Sequence, residues 1–275
     1  MKVTVRNLTA NGIYDEYVSD FRLNCQAAGA AVSVDVLPPP ERRLDAEWSR
    51  IVLEIDPQTL KLLAQYAAAA VAVWKIAAYA DEFFKAAAKK LGDMTGAKIG
   101  EAIATLWERI IKRIKAPPPE SHPGVEFILH AQLLGTDVVA AIGGIYSRTI
   151  EELSEKQVEN LLSIRPVLYC LFPMVEEFIR QAQVAKVELH HRVSVSLRPT
   201  GHSHGSWCWE VEIAPIGRFC LDQHGVLRTT EPLKCFVPMW LRRRRLFLSD
   251  GIAAGDIARI VKQYKRNPRG IRPLS

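Results

Sequence analysis

The sequence has few cysteines and no apolar run long enough to cross a membrane unaided. Five of its 275 residues are cysteines, an odd number at wide spacing. Residues 1–6 alternate like a strand and lack the apolar core and small-residue cleavage site of a secretory signal. We therefore expect reduced thiols and a cytoplasmic protein.

The most apolar stretch is residues 62–74, interrupted only by Gln65. It is alanine-rich, is bounded by Lys61 and Lys75, and falls short of the roughly 20 apolar residues that span a bilayer. This pattern predicts a buried helix. A membrane-surface effector acting through helices 58–114 remains an alternative, because an apolar face among mostly basic residues also suits an interfacial helix.

No catalytic motif keeps the structural context that its chemistry needs. Residues 201–205 have the letters of the nucleophile elbow, but they lie between two strand patterns and no helix follows. Residues 92–98 resemble a phosphate-binding loop but lack its G-K-[ST] ending and follow a helix pattern where the motif requires a strand. We assign no catalytic residues and favour a non-enzymatic function.

Histidines and cysteines concentrate in residues 190–235, where zinc is the cofactor to consider. Imidazole and thiolate are zinc ligands, yet the spacing lacks the paired C-x2-C or H-x3-H knuckle of a strong site. Loop histidines and half-buried thiols explain the same residues, so we expect no cofactor, with structural zinc as the alternative. The candidate ligands are His202, His204, Cys208, Cys220 and His224.

The hydrophobic periodicity predicts an α+β protein in four parts. Residues 1–115 read as a βαββ module followed by two long helices, 58–91 and 97–114. Residues 116–124 are a proline-rich linker, because four prolines fall within residues 115–124. A second α+β domain, 125–236, and a basic helical tail, 237–275, complete the chain.

Within the second domain, a strand pair at 125–133 and 137–146 precedes a helical stretch. A capping-box pattern, Thr149 to Glu152, predicts the start of a helix that runs to about residue 183. Pro166 and Pro173 lie inside it and predict a kink or a division into two helices. From residue 193 the alternation predicts an antiparallel meander.

The C-terminal 39 residues carry a larger net positive charge than the chain as a whole. Residues 237–275 hold ten Lys or Arg against two Asp, a net +8 in a chain of net +6. Ser249 is a plausible N-cap for an amphipathic helix to about Lys265. Its apolar stripe contains Ile252, Ile257, Ile260, Val261 and Tyr264.

This segregation predicts an acidic partner, either a protein or a nucleic acid, with an anionic membrane surface as a further alternative. Arginines that pair with acids elsewhere in the chain would give the same pattern. The candidate binding residues are Arg242, Arg243, Arg244, Arg245, Arg259, Lys262, Lys265, Arg266 and Trp240.

The N-terminal third resembles small adaptor modules associated with effectors in bacterial conflict and antiviral defence systems. The resemblance lies in the layout: strand, helix, strand, the break at residues 38–40, strand 51–55 and an alanine-rich helix. It implies a module that recruits partners and has no catalytic residues of its own.

Overall fold

The computed structural model describes residues 1–7, 14–37, 48–73, 80–117, 123–184, 192–199, 207–214, 217–222 and 227–229. Helices are interspersed along the chain with strands that form one mixed sheet, which confirms the α+β class. The elements are β1 (Lys2–Asn7), α1 (Asp15–Ala27), β2 (Ser33–Leu37), β3 (Trp48–Ile55), α2 (Pro57–Val73), α3 (Ala80–Leu91), α4 (Thr95–Lys115), β4 (Gly124–Leu133), β5 (Thr136–Tyr146), α5 (Ser147–Glu151), α6 (Glu155–Leu162), a π-helical turn (Val167–Leu171), α7 (Phe172–Val184), β6 (Arg192–Pro199), β7 (Trp207–Ala214), β8 (Gly217–Asp222) and β9 (Leu227–Thr229).

The nine described strands form one sheet in the order β2-β1-β3-β4-β5-β6-β7-β8-β9. Three neighbouring pairs are parallel: β1 with β2, β3 with β4, and β5 with β6. Each parallel pair is joined through helices, as a parallel connection requires. The remaining pairs are antiparallel, including the predicted strand pair β4–β5 and the predicted meander from β6 onward.

One face of this sheet carries the hydrophobic core. The register aligns Leu53 with Leu129 and Leu129 with Ala140, and all three side chains are buried. The same alternation continues into β7, where Val211 and Ile213 are buried. Strands before and after the proline-rich segment are thus hydrogen-bonded neighbours, and the two predicted domains share one sheet and one core.

The described helices all cover that apolar face. Helices α1, α2 and α4 pack together, and α4 in turn contacts α5 and α6. The connections β3–β4 and β5–β6 step in the same direction across the sheet although β3 and β5 run antiparallel. Two connections over one face with this geometry have opposite hands, so one of them is left-handed, against the usual preference.

The prediction of a single helix over residues 58–91 is wrong. The Tyr66 hydroxyl donates to the backbone oxygen of Phe84 at 2.8 Å. In one straight helix these residues would lie about 27 Å apart, at 1.5 Å per residue. Helices α2 and α3 therefore pack side by side. The tyrosine ring and the Phe84 ring are also in contact, with centroids 6.2 Å apart.

The capping box at Thr149 and Glu152 is also wrong, because Thr149 lies inside the short helix α5. The actual box begins α6: the Ser154 hydroxyl accepts from the Gln157 amide, and the Gln157 side chain accepts from the Ser154 amide at 2.9 Å. The expected division near the prolines is confirmed. Pro173 follows the π-helical turn, whose wider path leaves room for a proline ring that cannot donate to the carbonyl four residues earlier.

Helix α4 approaches its neighbours closely at two glycines, Gly96 and Gly100. A Cβ atom at Gly96 would lie 2.1 Å from the backbone oxygen of Leu62 on α2. A Cβ atom at Gly100 would lie 1.6 Å from the Tyr169 hydroxyl oxygen. The two glycines thus set the distance between α4, α2 and the π-helical turn.

Candidate functional site: a buried arginine among three carboxylates

Arg165 is the most deeply buried charged side chain among the described residues, at 3% exposure. It follows α6, between Ile164 and Pro166, at the point where the chain turns into the π-helical segment. Its guanidinium binds Glu101 of α4 in bidentate fashion, with Nε–Oε1 at 2.8 Å and Nη2–Oε2 at 2.7 Å. Its Nη1 atom donates to Asp81 of α3 at 3.1 Å and to Glu108 of α4 at 3.2 Å.

The charge of this cluster is close to balanced. Lys85 lies 2.8 Å from Asp81, so two cations face three carboxylates. Burial alone would lower the pKa of Arg165, but the hydrogen bonds and charge of Glu101 and Asp81 outweigh it and raise that pKa. The guanidinium therefore stays charged, and its carboxylate partners stay bound to it.

An aromatic group adjoins the ion cluster. The Tyr169 ring contacts the rings of Tyr66 and Phe84, at centroid distances of 5.1 and 4.4 Å. The Tyr169 hydroxyl is buried and has no hydrogen-bond partner among the described residues. Burial, and then the charge of Glu101, raise the pKa of Tyr169 well above its ordinary value and that of Tyr66 to about 12. Both phenols are therefore protonated at neutral pH.

This arrangement is suited to holding helices together. Arg165 connects the helices of the β3–β4 connection to those of the β5–β6 connection. Two tryptophans strengthen the same junction: Trp107 Nε1 donates to the Leu161 backbone oxygen at 2.6 Å, and Trp209 Nε1 donates to that of Ser163 at 3.0 Å. The residues around Arg165 thus hold the helices of the β3–β4 connection and those of the β5–β6 connection in a fixed relative position.

The two tyrosines of this site should respond oppositely to loss of the hydroxyl. Tyr169→Phe removes a buried hydroxyl that no described residue pairs with, so we expect the unfolding free energy to stay equal or to rise by up to about 1 kcal/mol. Tyr66→Phe removes a buried hydrogen bond to the Phe84 backbone oxygen and should cost about 0.5–1.5 kcal/mol. Urea unfolding of both variants measures the difference, and a larger loss for Tyr169→Phe would contradict the assignment.

Most residues selected from the sequence lie outside the described part of the chain. This holds for the whole basic segment 237–275 and for His202, His204 and His224. Cys208 lies in β7 and Cys220 in β8. Cys220 is buried, and burial followed by the charge of Glu210 raises the pKa of its thiol to about 12.

Within the described ranges, no group of three or more His, Cys, Asp or Glu side chains has the geometry to hold a metal ion. The zinc site therefore stays a prediction, since three of its five ligands lie elsewhere. As for membrane spans, no single described helix is long and apolar enough to cross a bilayer. Two consecutive helical segments, Glu155–Leu162 and Val167–Val184, meet the length and composition criteria when they are taken together. The chain bends by 52° between them.

The sequence reading missed Arg165, although a signal for it exists. The residue stands in a segment whose other members, from Ile164 to Phe172, are almost all buried. A charge that is carried into such a segment needs partners, because an unpaired buried charge is very costly. The acids that supply them are 57 to 84 residues away in the chain, so pairing could not be read from local spacing.

No protein-family model, no curated protein and no solved structure matches this chain in the three comparisons made.

Proposed function

We propose that this protein is a non-catalytic interaction protein that binds an acidic partner through its basic C-terminal segment. The observation that carries the proposal is the charge segregation. Residues 237–275 have a net charge of +8, while the whole chain has +6. Everything before residue 237 therefore carries a small net negative charge, and the positive charge available to a partner is concentrated at one end.

The described body supports this assignment because several of its basic side chains bind its own acids. Arg165 is enclosed by three carboxylates. Arg109 binds Asp20 at 2.5 Å and stacks over the Tyr17 ring at 4.3 Å. On the sheet and helix surfaces, further pairs are Lys2–Asp35, Arg50–Glu126, Arg218–Glu212 and Arg180 with Glu176 and Glu177.

The membrane-surface alternative is less favoured, because the helices it requires contribute to the core. Helix α4 buries twelve side chains or glycines, among them Ile103, Trp107 and Ile110. Helix α3 buries Phe83 and Phe84. Both would have to leave the sheet to present their apolar faces to a bilayer, which exposes the core that they now cover.

The same proposal places the protein in the cytoplasm as an adaptor of a bacterial conflict or defence system. The support for this finer statement is the βαββ layout that the N-terminal third shares with adaptor modules. In the structure β1, α1, β2 and β3 follow in that order. An adaptor needs a rigid body and a separate contact surface, and the basic segment would supply that surface.

Binding measured at two salt concentrations tests the proposal. The probes are polyglutamate, labelled DNA and RNA, and vesicles that contain anionic lipid. We expect binding to polyglutamate that weakens with salt and is lost when Arg242–Arg245 are replaced with glutamine. If a nucleic acid is bound through these arginines instead, the salt slope should fall by about 3–4, since each phosphate contact contributes about 0.9.

A matched variant controls for net charge. Lys89, Lys98, Lys112 and Lys115 are exposed on α3 and α4, and replacing them with glutamine removes the same four charges from the body. This control should bind like the parent protein. Equal losses in the two variants, or no loss in the arginine variant, would refute a contact surface in the basic segment. Vesicle binding that survives the arginine substitutions would favour the helical region.

A further inference from the structure

The sheet has a second face, on which no described helix lies. Val52 on β3, Ile128 on β4 and Ala141 on β5 are direct cross-strand neighbours on this face. Val139 lies two residues before Ala141 on the same side. All four side chains are only partly exposed. We name these four residues the apolar row; it lies across three central strands of the sheet.

Polar side chains border the apolar row. Arg50 binds Glu126 across strands β3 and β4, and His130 lies 3.7 Å from Asp137 across β4 and β5. Arg50 and Glu126 offset each other's charge, so contact with the row itself would be driven by apolar burial. The row is therefore suited to one apolar strip of a helix or strand.

Part of this face is already shielded from solvent. Cys220 alternates with Phe219, whose ring contacts Phe178 of α7, so the cysteine lies on the face opposite the helices. Its side chain is nevertheless only 2% exposed. Arg218 and Glu212, which project to the same face, keep about half of their side-chain exposure. Cys220 is therefore shielded from solvent on this face, whereas Arg218 and Glu212 are not.

We infer that the predicted helix 249–265 covers this open face, with its apolar stripe against the apolar row. Both surfaces consist mainly of aliphatic side chains. The row has four of them, and the stripe contains Ile252, Ile257, Ile260, Val261 and Tyr264. No described helix packs on the row. Docking the stripe on the row would remove both apolar surfaces from water.

The chain can reach the row. The described part ends at β9, the edge strand of the sheet, and residues 230–248 connect it to the predicted helix. Fully extended, these residues span about 60 Å, at about 3.3 Å each. Five strand spacings separate β9 from β4, about 24 Å in all. The connection is long enough without strain.

A tethered helix fits this face better than a second copy of the chain does. Stable interfaces between proteins bury about 1,200–2,000 Å² around an apolar centre, and a row of four side chains bordered by ion pairs offers little of that. A segment of the same chain does not pay the entropy cost of association. With the stripe turned to the sheet, Arg259, Lys262 and Arg266 face outward. The inference holds whether or not these residues bind an acidic partner.

Limited trypsin digestion of the full chain tests this docking, because the segment carries cleavage sites from Arg259 to Arg272. In the parent protein we expect slow cleavage there. The double variant Val52→Glu with Ile128→Glu places charges in the row and should speed cleavage about tenfold, since proteolysis follows the population of the open form. The reciprocal variant Ile257→Glu with Ile260→Glu should have the same effect without altering the sheet.

The control places two glutamates on exposed apolar positions of the helical layer, Leu23 and Val71. This control should be cleaved like the parent. Equal cleavage rates in the parent and both docking variants would overturn the inference. Protection that increases with protein concentration would also overturn it, because the occupant would then be a second copy of the chain.

Discussion

Replacing Arg165 with methionine should lower the free energy of unfolding by about 3–5 kcal/mol. Methionine fills similar space but leaves the carboxylates of Glu101, Asp81 and Glu108 in a partly buried position without their common donor. The penalty comes mainly from these uncompensated charges. Removing a whole buried ion pair is often tolerated, whereas removing one partner is not.

Arg180→Met is the matched control for this substitution. Arg180 also binds two carboxylates, Glu176 and Glu177, but its side chain is 53% exposed, so we expect a loss below about 1 kcal/mol. Urea unfolding of the parent and both variants gives the comparison. Similar losses in the two variants would mean that the buried cluster stabilises the fold no more than a surface pair does. Restoring charge balance with Glu101→Gln in the Arg165→Met background should recover part of the stability.

Gly96→Ala should lower the free energy of unfolding by about 2–3 kcal/mol. Alanine is the better helix former by about 1 kcal/mol, so propensity alone predicts a gain. The close approach of α2 reverses that sign. The new methyl would lie 2.1 Å from the Leu62 backbone oxygen, and a backbone atom inside a helix cannot move aside without shifting the helix.

Gly143→Ala provides the comparison, because a Cβ atom there has no described neighbour within 4 Å. We expect its unfolding free energy to stay within about 0.5 kcal/mol of the parent value. Thermal unfolding followed by circular dichroism measures both variants. A Gly96→Ala protein as stable as the parent would show that α2 and α4 can separate at no cost, contrary to the packing described above.

The sequence predicts which side of each strand faces the core, but not which strands are neighbours. Alternation placed Val193, Val195 and Leu197 on one face, and all three are buried. It could not show that β3 pairs with β4 in parallel across the proline-rich segment, because pairing depends on the path of intervening helices. The proline content predicted a linker at residues 116–124. The strands before and after that segment, β3 and β4, are hydrogen-bonded to each other.

Helix boundaries and the ion cluster were harder to predict for a related reason. Neither proline nor glycine separates α2 from α3, so apolar spacing continued through residues 58–91 and indicated one helix. Only tertiary contacts such as Tyr66 with Phe84 reveal two. Arg165 likewise depends on partners contributed by α3 and α4, which local patterns do not bring together. The candidate zinc ligands and the basic segment stay predictions.

The strand order also has a consequence for how the chain folds. To pair β3 with β4, the chain must close a connection that contains three helices, and β5 with β6 requires another. Such high contact order slows folding, since the entropy of closing long loops is lost before the strand contacts form. From β6 to β9, by contrast, each strand pairs with the next strand in the chain. We expect refolding on a scale of milliseconds to seconds, with the meander formed before the parallel pairs β3–β4 and β5–β6.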